Sequence, residues 1–287
     1  MLQAKDRISY VSLERGDRSN IRTRITCAAS GRVPGLTASA ARTRTYFLVR
    51  PKNARFGAEI RTLLNGYGGV LATLLRSFAG ATGRLWPEQG SAYVVANLRG
   101  GGQFGPRWHE AAQAATKQRA WDDFIAFAED LIRRKVTSPR RWAWSAAARE
   151  VCWWAPRLLS ARTASSQRSC RWRCSTCFGS PSRRRLLLRR RIRRSRHPEQ
   201  HGWIETYSPC QKLVLGKTYP VPFILTSNKD DRVHPAHGRK AAARLAALAS
   251  PISAMKISTA GIAAANLTRY ARRLALEYTY ASRRLVD

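Results

Sequence analysis

The sequence predicts an α/β fold in which a mainly parallel sheet lies between two layers of helices. Three observations carry this. Short, almost wholly apolar runs recur at TYFLVRP (Thr45–Pro51), SAYVVA (Ser91–Ala96) and VPFILTS (Val221–Ser227). Amphipathic stretches of helical period fall between and after them. The runs do not alternate polar with apolar, which is the pattern of strands covered on both faces.

Taken in order, Met1–Arg44 is rich in Arg, Thr, Ser and Ala and shows no sustained period, so a poorly ordered segment is expected before a domain spanning residues 45–287. Thr45–Pro51 is a strand closed by proline, and RTLLNGYGG (Arg61–Gly69) is a short apolar run ending in a glycine-flanked turn. Ser91–Gly105 reads as a buried strand entering a glycine-rich loop. In Trp121–Arg134, Trp121, Phe124, Ile125, Ala128 and Ile132 share a helix face, and Asp122 and Asp123 suit the positive end of a helix beginning there. Val221–Ser227 is a strand followed by the acidic turn NKDDRV, and a helix covers Ala236–Leu248. A last helix aligns Leu267, Tyr270, Ala271, Leu274 and Tyr278.

The 287 residues suffice for one large domain, and a hydrophobic content of 44% excludes wholesale disorder. No run approaches the ~18 apolar residues of a membrane-spanning helix. Charges occupy the N-terminus where a secretion signal needs an apolar stretch, so a cytoplasmic protein is the default expectation. The formal charge of +35 is concentrated: Arg140–His197 holds 17 Arg, no Lys and a single acid, Glu150, with four of the six Cys. The flanking regions mix acids with bases.

NGYGG (Asn65–Gly69), VVANLRGGGQFGPRWHEAA (Val94–Ala112), the RAWDDFIAFAEDLI helix, HGWIETYSPCQKL (His201–Leu213), TSNKDDRVHPAHGRK (Thr226–Lys240) and ANLTRYARRLALEYTY (Ala265–Tyr280) together resemble the catalytic domain of prolyl oligopeptidases. The resemblance covers roughly Thr45–Ser138 and His201–Tyr280 and implies an α/β-hydrolase-like three-layer fold. That family carries a β-propeller cap; the part of this chain ahead of the match is not of propeller length, so the resemblance is to the peptidase domain alone. The resemblance implies a serine peptidase cleaving short peptides after proline, with no cofactor and no metal. It makes Asp230 the triad acid that orients a histidine, Tyr67 the phenol that donates to the oxyanion, and Arg232 the guanidinium that holds a substrate carbonyl. Trp203, Tyr207 and Val233 become walls of the proline pocket. Alone, Asp230 and Asp231 would read as a solvated turn, Tyr67 as a packing residue, and Trp203 with Tyr207 as a core stripe; the resemblance explains them together in chain order.

Two triad members are absent. No G-x-S-x-G stands between Ser138 and Asp230, where an α/β-hydrolase turns from strand to helix around its nucleophile, and Leu248–Leu267 contains no histidine. Codon arithmetic gives a reason. Tryptophan has a single codon, so Trp153–Trp154 read from the third base of each codon gives valine. With permitted codons, the same shift over Trp142–Pro156 yields L-G-M-(E/V)-G-G-S-(T/K)-G-G-L-L-V-G-A, and Met255–Ile262 yields E-N-I-D-G-G-H. On this reading Arg140 to about Pro198, and about Ser250 to Ala264, are wrong-frame translations, the central part and histidine loop are disrupted, and the chain is inactive. A buried strand running through RWAWSAAARE would put charges in the core.

Two other motifs fall in the same segment. CRWRCSTC (Cys170–Cys177) has the C-x3-C-x2-C spacing of iron–sulfur ligation, but among arginines rather than on a structured loop. The Arg183–Arg196 run binds nucleic acid non-specifically by charge, whatever its origin. The readings from other classes are therefore a non-catalytic protein that holds proline-containing peptides and a basic nucleic-acid-binding protein.

Overall fold

The computed structural model describes residues 8–10, 25–29, 46–51, 54, 56–69, 71–74, 80–145, 170–172, 202–203, 213–216, 221–227, 236–248, 253–257 and 267–286. Nine strands form one sheet: β1 (Ile8–Tyr10), β2 (Ile25–Ala29), β3 (Tyr46–Pro51), β4 (Thr62–Gly66), β5 (Ala92–Ala96), β6 (Trp142–Ser145), β7 (Cys170–Trp172), β8 (Pro222–Ser227) and β9 (Ser253–Ile257). Their spatial order is β1-β2-β3-β5-β4-β6-β7-β8-β9. The pairs from β1 to β3, and β3 with β5, are antiparallel; every other pair is parallel. Within residues 1–44 the described structure is β1 and β2.

The described helices are α1 (Gly80–Leu85), α2 (Pro106–Glu110), α3 (Gln118–Arg133), α4 (Ala236–Ala247) and α5 (Leu267–Val286). Successive residues of a strand point to opposite faces, so β4 sorts them into layers. Leu64 joins a core cluster with Val94, Phe124, Phe127, Leu131 and Leu245, which places α3 and α4 on one face. Leu63 joins Trp86, Ala143, Ala281 and Leu285, which places α5 on the other. The expected three-layer, mainly parallel arrangement is thus present. A cavity of about 220 Å³ lies between the sheet and α5, lined by Leu63, Asn65, Trp144, Phe223, Leu274 and Tyr280 among others.

Two details of the sequence reading change, and a third lies partly outside the described residues. Helix α3 begins at Gln118, so Asp122 and Asp123 lie in its second turn, and Asp123 is fully buried against Arg99 rather than capping a helix start. On α5, Leu267 is 85% exposed and Tyr270 40%, while Leu274, Ala281 and Leu285 are buried. Only the part of that helix from Leu274 onward reaches the layer built on Leu63, so the expected stripe starts too early. Within RWAWSAAARE the described strand is Trp142–Ser145, with Trp142, Ala143 and Trp144 buried, while Arg149 and Glu150 lie outside the described residues. Arg141 stands at its edge, with Nε 3.0 Å from Glu59 Oε2.

Strands form within both segments that the sequence reading set apart, β6 and β7 in one and β9 in the other. Among the described residues β4 and β5 share five register pairs, β4 and β6 four, β6 and β7 two, and β8 and β9 five. Cys170 belongs to β7, between β6 and β8, so the start of the cysteine motif is a strand and not a ligand loop. Cys174 and Cys177 lie outside the described residues.

Candidate active site

In an open parallel sheet, ligands bind beyond the carboxyl ends of the strands where the strand order reverses. Here the chain runs from β4 outward to β5, then crosses back to β6 on the other side of β4. The reversal lies between β4 and β6. Tyr67 is the first residue beyond β4, half-buried, and Ser145 ends β6 directly before the position where an elbow would stand. β8 ends at Ser227, three residues before Asp230 in the chain, and β9 ends at Ile257, before the second departing segment closes.

The turn that carries Tyr67 is held by the glycine-rich loop after β5. A β-carbon on Gly68 would stand 2.8 Å from the Arg99 carbonyl oxygen, so glycine is required for the two loops to meet. Gly100 has φ +93°, and a β-carbon there would lie 2.4 Å from the Gly68 oxygen. Trp108 Nε1 donates to the Leu98 carbonyl at 2.8 Å, Gly100 N donates to the Trp108 carbonyl at 3.0 Å, and His109 Nδ1 lies 2.5 Å from the Gly100 carbonyl. The loop is thereby tied to α2.

Arg99 anchors the same loop to α3. Its Nε reaches Asp123 Oδ2 at 2.8 Å and its Nη2 reaches Oδ1 at 2.7 Å, a two-pronged pair with side chains 8% and 0% exposed. The Arg99 amide also donates to Asp123 Oδ2, and Nη2 donates to the Arg119 carbonyl at 3.2 Å. Lys117, just before α3, is buried and donates from Nζ to the carbonyl of Gly68. Sequence reasoning missed this lysine because a single Lys ahead of an amphipathic helix reads as solvated. Its burial follows only from the packing of α3 against the Gly68 turn.

Of the six residues assigned from sequence, the structure describes two. Tyr67 stands at the switch point, and Trp203, in a short helical turn, is half-buried and packs against the main core cluster. Tyr207, Asp230, Arg232 and Val233 lie outside the described residues. Among the described residues no group of three His, Cys, Asp or Glu side chains is arranged to hold a metal, and no helix is long and apolar enough to cross a membrane.

The model of the prolyl oligopeptidase family matches residues 77–145, seven residues beyond Ser138 and through β6. An uncharacterized peptidase of Sinorhizobium fredii is 35% identical over 264 residues, covering 84% of this chain and 34% of the relative. The chain belongs to the prolyl oligopeptidase family. The prolyl endopeptidase of Elizabethkingia miricola is 29% identical over 197 residues, or 65% of this chain and 26% of that protein. A post-proline cleaving enzyme from Rickettsia typhi has the same fold, with a TM-score of 0.77 at 24% identity over 91% of this chain and 38% of that one. The chain spans about a third of the length of its first curated relative.

Proposed function

We propose that this chain is the catalytic part of a serine peptidase of prolyl oligopeptidase type, and that its written sequence retains the substrate-holding half of the site without the nucleophile and base. The observation that supports this is the chain order of the family's blocks relative to the described strands. Tyr67 follows β4, the elbow position follows β6, and Asp230 comes after β8. In an intact site the serine attacks the peptide carbonyl after proline, the histidine moves the proton, and the acid orients the histidine. Tyr67 donates to the developing oxyanion, Arg232 holds an upstream carbonyl, and Trp203, Tyr207 and Val233 enclose the proline ring.

With no G-x-S-x-G between Ser138 and Asp230 and no histidine in Leu248–Leu267, the chain does not hydrolyse peptides, because loss of either residue removes nearly all of the triad's advantage. The fit of the shifted frame supports an origin in reading-frame slippage. Resequencing the coding DNA across codons 138–203 and 248–266 tests it. Compensating insertions and deletions that restore G-G-S and G-G-H make the native protein an active post-proline peptidase acting on short peptides. An unaltered frame, together with turnover of a chromogenic proline peptide by this chain, would overturn the assignment of the missing residues. A second reading, binding of proline-containing peptides without cleavage, is favoured by the survival of the Tyr67 and Trp203 blocks. It requires saturable binding with no product.

A further inference from the structure

We propose that Lys117 is a positioning residue of the oxyanion turn: its ammonium, donated to the Gly68 carbonyl, fixes the turn that presents Tyr67 and sharpens the donor character of the next peptide N–H. The proposal rests on the reading of Tyr67 as an oxyanion donor.

Lys117 follows a short 3-10 turn, Ala114–Thr116, and its own N–H donates back to the Ala114 carbonyl at 3.2 Å. That turn aims the side chain inward, leaving the residue 8% exposed, with Nζ on a carbonyl 49 residues earlier in the chain. The glycine it holds is wedged. A β-carbon on Gly68 would meet the Arg99 carbonyl oxygen at 2.8 Å and the Ala120 β-carbon at 3.3 Å, so the residue is pressed between the glycine loop and the first turn of α3. Gly68 directly follows Tyr67, and the carbonyl that accepts from Lys117 shares its peptide unit with the N–H of Gly69.

Two physical consequences follow. A charge-assisted hydrogen bond at the oxygen polarises that peptide unit and makes its N–H a stronger donor. In α/β-hydrolases the loop at this position supplies one N–H of the oxyanion hole. A buried ammonium is also a fixed positive charge in a low-dielectric region close to where negative charge develops, in place before the reaction begins. Lysine delivers this as a compact point charge. Arginine at the same position keeps the charge, and methionine keeps the packing alone.

The test uses the full chain with Lys117→Met and Lys117→Arg. Amide hydrogen exchange is followed over residues 66–72 and, as a control, over α3. Lys117→Met should speed exchange in 66–72 by about tenfold while α3 changes by less than about twofold, and Lys117→Arg should restore protection. The second readout is the affinity for acetyl-Ala-Ala-Pro, whose terminal carboxylate stands in for the oxyanion. Lys117→Met should weaken it by about fivefold, and adding Tyr67→Phe should then cost little more, because the two act as a unit. Unchanged exchange in 66–72, or equal loosening of α3, overturns the proposal. If Lys117→Met loosens the turn while Tyr67→Phe leaves the affinity intact, the oxyanion reading of Tyr67 fails and the positioning role stands. If the unsubstituted chain shows no binding, the peptide-holding reading fails, and the exchange result still decides the role of Lys117.

Discussion

Asp123 and Asp130, seven residues apart on α3, are buried carboxylates with different partners. Asp123 meets Arg99 across the layer, whereas Asp130 accepts from the Tyr46 hydroxyl at 2.8 Å and pairs with Arg133 and Arg134 on its own helix. Removing one member of a buried pair leaves the other charge desolvated, so Asp123→Ala should cost about 3–5 kcal/mol in urea unfolding, with the loss centred on the glycine loop. Tyr46 supplies a pH-dependent counterpart. Burial, and then the hydrogen bond to Asp130, hold its hydroxyl protonated well above the ordinary tyrosine value of 10.0. The folded state keeps this proton where the unfolded chain releases it, so the contribution of Tyr46 is complete below about pH 10 and is lost as pH climbs above that. Tyr46→Phe should be less stable than the parent at pH 8, and the gap should narrow in alkaline unfolding above pH 10. None of this was legible in the sequence. DDF read as a helix start because acids favour that place, and nothing local announces that Arg99, 24 residues earlier, takes one of them.

Among the elements, those with continuous apolar runs or strong helical period were legible: β3, β5, β8, α3 and α4 all fall where composition puts them. What failed was register. The stripe of α5 was placed too early because periodicity shows which residues share a face, not where along the helix a neighbour begins. β6 is the informative case. WAWS has strand composition and takes the place beside β4, but its indoles fit poorly: among the described residues neither Trp142 Nε1 nor Trp144 Nε1 has a hydrogen-bond partner, although both residues are 1% exposed. An orphaned buried N–H costs about 1–3 kcal/mol, and native strands seldom keep two in a row of four. The shifted frame puts Leu, Gly and Met here, none of which carries such a donor. Trp144→Phe should therefore stay within about 1 kcal/mol of the parent in urea unfolding, against about 3–5 kcal/mol for emptying a well-packed aromatic site. A loss at the upper end would mean that the indole is well accommodated and would count against a foreign origin for β6.

For the molecule as a whole, the family blocks in chain order made the fold legible, while the Arg-rich segment carries none of those blocks and offered recognition nothing to hold. A formal charge of +35 repels itself and attracts polyanions. The chain should bind heparin and unrelated DNA alike, with affinity falling steeply between 50 and 200 mM salt, as expected for ~6 or more phosphate contacts. Sequence-selective binding that resists salt would require an evolved nucleic-acid site instead. Among the described residues β6 and β7 share two register pairs, beside the cavity bounded by Trp144 and Phe223, and this bears on how the molecule comes apart. On one side stand β3, β4, β5 and α3 around a dense aromatic core; on the other stand β8, β9 and α4. The two sides also meet in one apolar cluster, through Ile224, Ala241 and Leu245, but such contacts between side chains do not by themselves make them unfold together. Native-state hydrogen exchange should resolve two opening free energies, the lower for Pro222–Ile257 and the higher for Tyr46–Arg133, so that a stable N-terminal foldon outlives the loss of the C-terminal strands.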